Sequence, residues 1–143
     1  MRILLVPLAL LCLALPARAG TVLDLGADYV LNGGPGLFSL TLAADSPLTH
    51  SVYVGGRFGA LVTTAPSSAG VPLDLYLRIA PGRSGVYLQG LLGPWIFFSG
   101  DTLRAHGAFG FGLATRTVEV GAEVGWLSGL SQALLGVRLG FRI

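Results

Sequence analysis

The chain is poor in charge and nearly without cysteine, and each shortage excludes something. Only 11% of its 143 residues are Asp, Glu, Lys or Arg, against about 25% in a soluble domain. So few charges cannot clothe a water-facing surface, and mean hydropathy is high at +0.73. Yet no apolar run reaches the roughly 20 residues of a membrane-crossing helix, and there are no heptads, linkers or low-complexity tails. The one cysteine, Cys12, sits in the N-terminal segment, so the rest of the chain has no thiol or disulfide chemistry. The formal charge of +2 comes from Arg2 and Arg18, also N-terminal; the remainder balances its Arg against its Asp and Glu. The basic pI is therefore no argument for nucleic-acid binding.

Residues 1–19 have the anatomy of a secretory signal peptide. Arg2 supplies the positive start, Ile3 to Leu15 the apolar stretch, and Ala17-Arg18-Ala19 the small-x-small cleavage site. Cleavage before Gly20 is expected, leaving one domain over 20–143. Leu11 directly before Cys12, where a lipoprotein signal wants a small residue, argues against lipidation.

What the rest contains is alternation. Eight segments, at about 21–31, 36–44, 50–62, 73–80, 85–92, 102–114, 117–127 and 133–143, place apolar residues on one face and small or polar residues on the other, the period of a β-strand. The segment over 73–80 is the cleanest, with Leu73, Leu75, Leu77 and Ile79 against Asp74, Tyr76 and Arg78. The last ends the chain as Leu135, Val137, Leu139, Phe141, Ile143. Asn32-Gly33-Gly34-Pro35, Asp45-Ser46-Pro47, Pro81-Gly82-Arg83-Ser84 and Thr115-Arg116 read as turns, and 63–72 and 93–101 as two longer loops.

Hydrophobicity hidden in alternation, behind a leader, is the pattern of a membrane-spanning β-barrel. The expected fold is all-β, an eight-stranded antiparallel up-and-down transmembrane barrel. With an even strand number both ends fall on the periplasmic side, and the loops 63–72 and 93–101 fall outside. Tyr29, Phe38, Trp95 and Trp126 flank the outer connections, where an interfacial aromatic girdle belongs. The polar rows hold Asp24, Asp28, Asp74, Glu119 and Glu123 with Arg57, Arg78, Arg104, Arg138 and Arg142, beside His106. Facing inward, these form a salt-bridged network that plugs a lumen too narrow for a channel, with Arg bridging carboxylates bidentately.

On these residues the mature chain resembles the small eight-stranded outer-membrane barrels, the class of the OmpA membrane domain and OmpX-like proteins. The resemblance covers about 20–143. It rests on the leader, the alternating strands and the C-terminal assembly signal Leu139, Phe141 and Ile143. That signal usually ends in an aromatic; here Ile143 is last and Phe141 third from the end. It implies an outer-membrane location, with outer-membrane lipids and the barrel-assembly machinery as partners.

Candidates for chemistry are few. His106 beside Glu119 and Glu123 suggests a His–Glu pair of the kind used by barrel lipid A deacylases and acyltransferases. Such enzymes need a nearby serine, whereas residues 107 and 108 are Gly and Ala. The pairs Asp24/Asp28 and Glu119/Glu123 stand about 13 Å apart along a strand, too far to share a proton. His50 and His106 without cysteine make no metal site. No catalytic residue, metal or cofactor is expected. The reading is a structural barrel, or one that binds or adheres to an envelope or extracellular partner through its outer loops. A lipid-modifying enzyme using His106 is the alternative, and a soluble barrel with its apolar rows inward a third.

Overall fold

The computed structural model describes residues 20–31, 33–81, 85–100, 102–129 and 133–143. The expected leader, with its cleavage site on the Ala19 side, lies outside the described residues. Eight strands follow one another: β1 (Gly20–Val30), β2 (Gly36–Pro47), β3 (Val52–Thr64), β4 (Ser67–Ile79), β5 (Val86–Phe97), β6 (Leu103–Ala114), β7 (Val118–Leu127) and β8 (Ala133–Arg142). Each pairs antiparallel with its neighbours in the chain, and β1 pairing with β8 closes the sheet. The fold is a closed, all-antiparallel eight-stranded barrel.

Alternation in the sequence becomes alternation between wall and lumen. On β4, Leu73, Leu75, Leu77 and Ile79 face out while Asp74, Tyr76 and Arg78 are buried within. Even-numbered residues point inward on β1, β4, β6 and β8, and odd-numbered ones on β2, β3, β5 and β7. Among the described residues no outward strand position carries a charge. Leu75, 71% exposed, is typical of an outer face dressed in Leu, Val, Ile and Phe. A one-residue slip would exchange the two faces.

The expected long loops are absent. β3 and β4 are joined at Ala65–Pro66 alone, so most of 63–72 is strand, and β5 runs on to Phe97 through most of 93–101. Thr and Ser in the first segment and Pro in the second suggested loops, but alternation continues through both and cross-strand pairing overrides propensity. The end carrying residues 31–35, 65–66, 98–102 and 128–132 is called the hairpin end; the terminal end carries 48–51, 80–85, 115–117 and both strand termini. Connections are short at both ends.

Two prolines mark an irregularity in the wall, and the β3–β4 ladder also skips, from Phe58↔Leu73 to Leu61↔Gly70. Pro72 and Pro94 have no N–H to give, and the β4–β5 ladder skips from Pro72↔Trp95 to Leu75↔Leu92. Here the backbones approach closely, because a Cβ on Gly93 would overlap the Leu73 carbonyl oxygen. At the hairpin end the interior is apolar, with Val30, Leu37, Leu61, Trp95, Phe97, Leu127 and Leu134 packed together. Polar side chains fill most of the space beyond, beside a smaller apolar group of Val22, Ala43, Tyr76 and Leu91.

The wall predicts opposite responses at two glycines of β5. Gly93→Ala must push strands apart and should cost about 1–3 kcal/mol. Gly90→Ala meets nothing within 4 Å and should be neutral or stabilising by about 0.5–1 kcal/mol. Urea midpoints of the two variants, refolded in detergent, check both.

Candidate functional site

The charged interior is the one place where chemistry-bearing side chains converge. Asp74 is its hub. Arg57 donates to Asp74 Oδ2 at 2.9 Å, His106 Nδ1 lies 2.8 Å from Oδ1, and Trp95 Nε1 donates to Oδ1 at 3.1 Å. The hub stands where the β4–β5 ladder is interrupted, so side chains hold Asp74 at a gap in the backbone pairing.

From the hub the network crosses the lumen. Arg57 also donates to Glu123 at 2.9 Å, and Arg138 joins Glu123 at 2.8 Å to Asp28 at 2.7 Å. A second group lies nearer the terminal end. Arg78 bonds Glu119 at 3.0 Å and sits between the rings of Tyr87 and Tyr76, at 4.3 and 5.4 Å. Glu119 also binds Arg142, whose side chain is 37% exposed at the mouth. Gln89 joins the two groups, accepting from Arg78 Nε at 3.1 Å and donating to Glu123 at 3.1 Å. The Arg104 guanidinium lies 5.4 Å from the Phe97 ring centre. Asp24 faces the same space and has no ion-pair partner among the described residues.

All eleven residues expected in the polar rows face the interior, and three sequence assignments change. Trp95, assigned to the interfacial girdle, is only 2% exposed and stacks on His106 with ring centres 4.2 Å apart. It has odd parity on a β5 that extends further than the sequence suggested, so it points inward, where Asp74 satisfies its N–H. His106 pairs with Asp74 rather than with Glu119 or Glu123, because Arg57, Arg78, Arg138 and Arg142 already hold those two carboxylates. Asp45, read as part of a turn, belongs to β2 and is buried, accepting from Tyr76 at 3.3 Å with Arg78 at 3.8 Å. Gln89, Tyr76 and Tyr87 also join the network, and their inward parity was the available signal. Tyr29, Phe38 and Trp126 stand exposed on the outer wall towards the hairpin end, and Leu139, Phe141 and Ile143 are exposed along β8 and its tip.

The arrangement suits cohesion better than turnover. Asp74 and His106 have the geometry of an oriented base, but the imidazole is 2% exposed and covered by an indole. Ser68 and Ser99 bond each other at 2.6 Å on the exposed rim. Among the described residues no three His, Cys, Asp or Glu side chains are grouped to hold a metal.

No family model and no curated protein matches the chain. Solved structures do. A chain from the de novo design of transmembrane β-barrels is 8% identical, with a TM-score of 0.65 over 87% of this chain and 95% of its own. The N-terminal β-barrel domain of Pseudomonas aeruginosa OprF is 15% identical, with a TM-score of 0.57 over 87% of this chain and 97% of that one. The shared property is the fold, that of eight-stranded outer-membrane-type barrels.

Removing one partner of a buried pair strands the other. Arg57→Met leaves Asp74 and Glu123 without their shared cation and should cost about 3–5 kcal/mol. Arg142→Met, at the wet mouth, should cost under about 1 kcal/mol. Urea unfolding in detergent, followed by far-UV circular dichroism, measures both.

Proposed function

We propose that this chain is an integral outer-membrane protein, exported by a leader cleaved after Ala19, whose barrel is closed by its own side chains and serves the envelope structurally. One observation carries the reading: every charged strand residue faces the lumen and none faces outward. Lipid punishes the reverse arrangement by about 2–4 kcal/mol for each Arg at the midplane. A soluble barrel with its apolar rows inward would need the opposite orientation.

Closure follows from size and filling. An eight-stranded barrel is just wide enough for side chains to fill. Here ion pairs occupy the middle and an apolar cluster caps the hairpin end. Binding through long outer loops loses its footing, since 63–72 and 93–101 are mostly wall. Contacts then run through the apolar exterior, with outer-membrane lipids as the partner. The assembly machinery reads the β8 strand that ends in Leu139, Phe141 and Ile143. Lipid acyl chemistry at His106 is not favoured, because its ring is enclosed beneath Trp95.

Two tryptophans test the orientation. In vesicles of brominated phospholipid, Trp126 of the Trp95→Phe variant should be strongly quenched, while Trp95 of the Trp126→Phe variant should keep most of its emission. Equal quenching of both, or recovery of the protein in the aqueous fraction of lysed cells, contradicts the reading. Planar bilayers should show no steady conductance. Envelope lipid masses should be unchanged by expression; a changed acyl pattern abolished by His106→Ala would establish an enzyme instead.

A further inference from the structure

The interior count of charges is uneven. Among the described residues six carboxylates face the lumen, Asp45 included, against five arginines. Asp45 is the least well served of those with a partner. It is 7% exposed, and Arg78, its one ion-pair partner among the described residues, stands 3.8 Å away while bonding Glu119 more closely. A buried carboxylate so loosely paired is costly.

Gly20 is the residue opposite it. The two are Cα partners in the β1–β2 register, and Gly20 has the inward parity of β1. A Cβ built on Gly20 would stand 3.2 Å from Asp45 Oδ1. The Gly20 nitrogen is bonded to the same Cα, so it lies at the rim within a short reach of that carboxylate. In the precursor this nitrogen is a neutral amide. Cleavage after Ala19 changes that. Water adds across the Ala19–Gly20 bond, hydroxyl goes to the Ala19 carbonyl carbon, and the carbon–nitrogen bond breaks. The freed nitrogen takes up protons to become an α-ammonium, charged at neutral pH given an ordinary pKa of about 8.

We propose that removal of the leader supplies the sixth cation of the lumen: the new Gly20 ammonium pairs with Asp45 and locks the β1–β2 edge at the mouth. The inference rests on the export reading above and deepens it, making processing a stabilising step and not only a release from the inner membrane. Where the chain ends at Ile143, its carboxylate is the rival partner, since the Ile143 N–H donates to Thr21 O at 3.0 Å and brings residues 20–21 and 143 together. Ile143 is exposed, however, whereas Asp45 is buried, and a desolvated pair is the stronger one. Arg142 is the other charged group of β8 near this corner.

The chain offers a clean test because it contains no lysine. An amine-directed acetylating reagent therefore has one strong target, the α-amine. Mature protein extracted from envelopes is first weighed intact, then acetylated while unfolded and refolded in detergent. Its thermal midpoint is read from the shift between folded and unfolded bands on cold gels. The intact mass should begin at Gly20. Acetylation should lower the midpoint by about 3–5 °C, and the same acetylation in Asp45→Asn should shift it by less than a third as much. Should Asp45→Asn fail to fold, the acetylation rate of the folded wild type serves in its place: several-fold slower than in the unfolded chain if the amine is paired, equal if it is free. Equal midpoints with a Gly20 start overturn the inference alone. A shift undiminished in Asp45→Asn does so too and assigns the amine to Ile143. A mass beginning elsewhere overturns the processing reading and the inference together.

Discussion

Everything in this barrel depends on keeping its interior charges paired. Water cannot solvate them there, and an unpaired ion away from water costs several kcal/mol. The chain meets that constraint by sharing. Asp74 takes donors from Arg57, His106 and Trp95, and Glu123 is held by Arg57, Arg138 and Gln89. Shared partners mean that few of these side chains can leave without exposing another. Such coupling makes their contributions non-additive and ties six strands to one another through the lumen as well as through their edges.

The choice of side chains follows. The basic side chains of the interior are Arg with one His, and the chain has no lysine at all. A planar guanidinium can serve two carboxylates in fixed geometry, as Arg57 does for Asp74 and Glu123, where an ammonium would be a single point charge. Arg78 adds the flat contact with Tyr87 that its delocalised charge permits. Long side chains in a narrow barrel need room, and glycine gives it. A Cβ on Gly136 would overlap Asp28, and one on Gly112 or Gly121 would meet the Tyr87 hydroxyl at 2.6 or 2.5 Å. The inward glycines are thus the complement of the network, one row of absent side chains for each row of large ones.

Much of this was legible in the sequence because period two is a strong signal when one face must avoid charge. It gave the strand number, the closure and the eleven polar-row residues, since parity alone decides wall or lumen. At two places parity runs on where turn-forming residues suggest a stop. Asp45 and Trp95 lie where turn-forming Ser46-Pro47 and Gly93-Pro94 suggested that a strand had stopped, yet both strands continue because neighbouring strands supply their hydrogen bonds. The partner of His106 could not be read from one strand. It depends on the β4–β5–β6 register, which pairs Trp95 with Pro72 and His106 with Gly93 and so brings Asp74, Trp95 and His106 within reach of one another, and register between strands is a tertiary property.

The two halves of the lumen differ in kind, and the difference bears on what the barrel can do. At the hairpin end Trp95, Phe97, Leu127 and their neighbours form an apolar cap, with the Arg104 guanidinium against the Phe97 ring. Towards the terminal end the filling is ionic and ends at the partly wetted Arg142. A solute entering from the termini would meet charged groups most of which are already held by one another, Asp24 and the loosely paired Asp45 excepted, then an apolar stop. To open a path, the pairs around Glu123 and the contact of Trp95 with Asp74 would have to break together, because Arg57 links Glu123 to Asp74 and Asp74 holds Trp95. Closure is therefore cooperative, a consequence of one carboxylate being shared between the cap and the ionic layer.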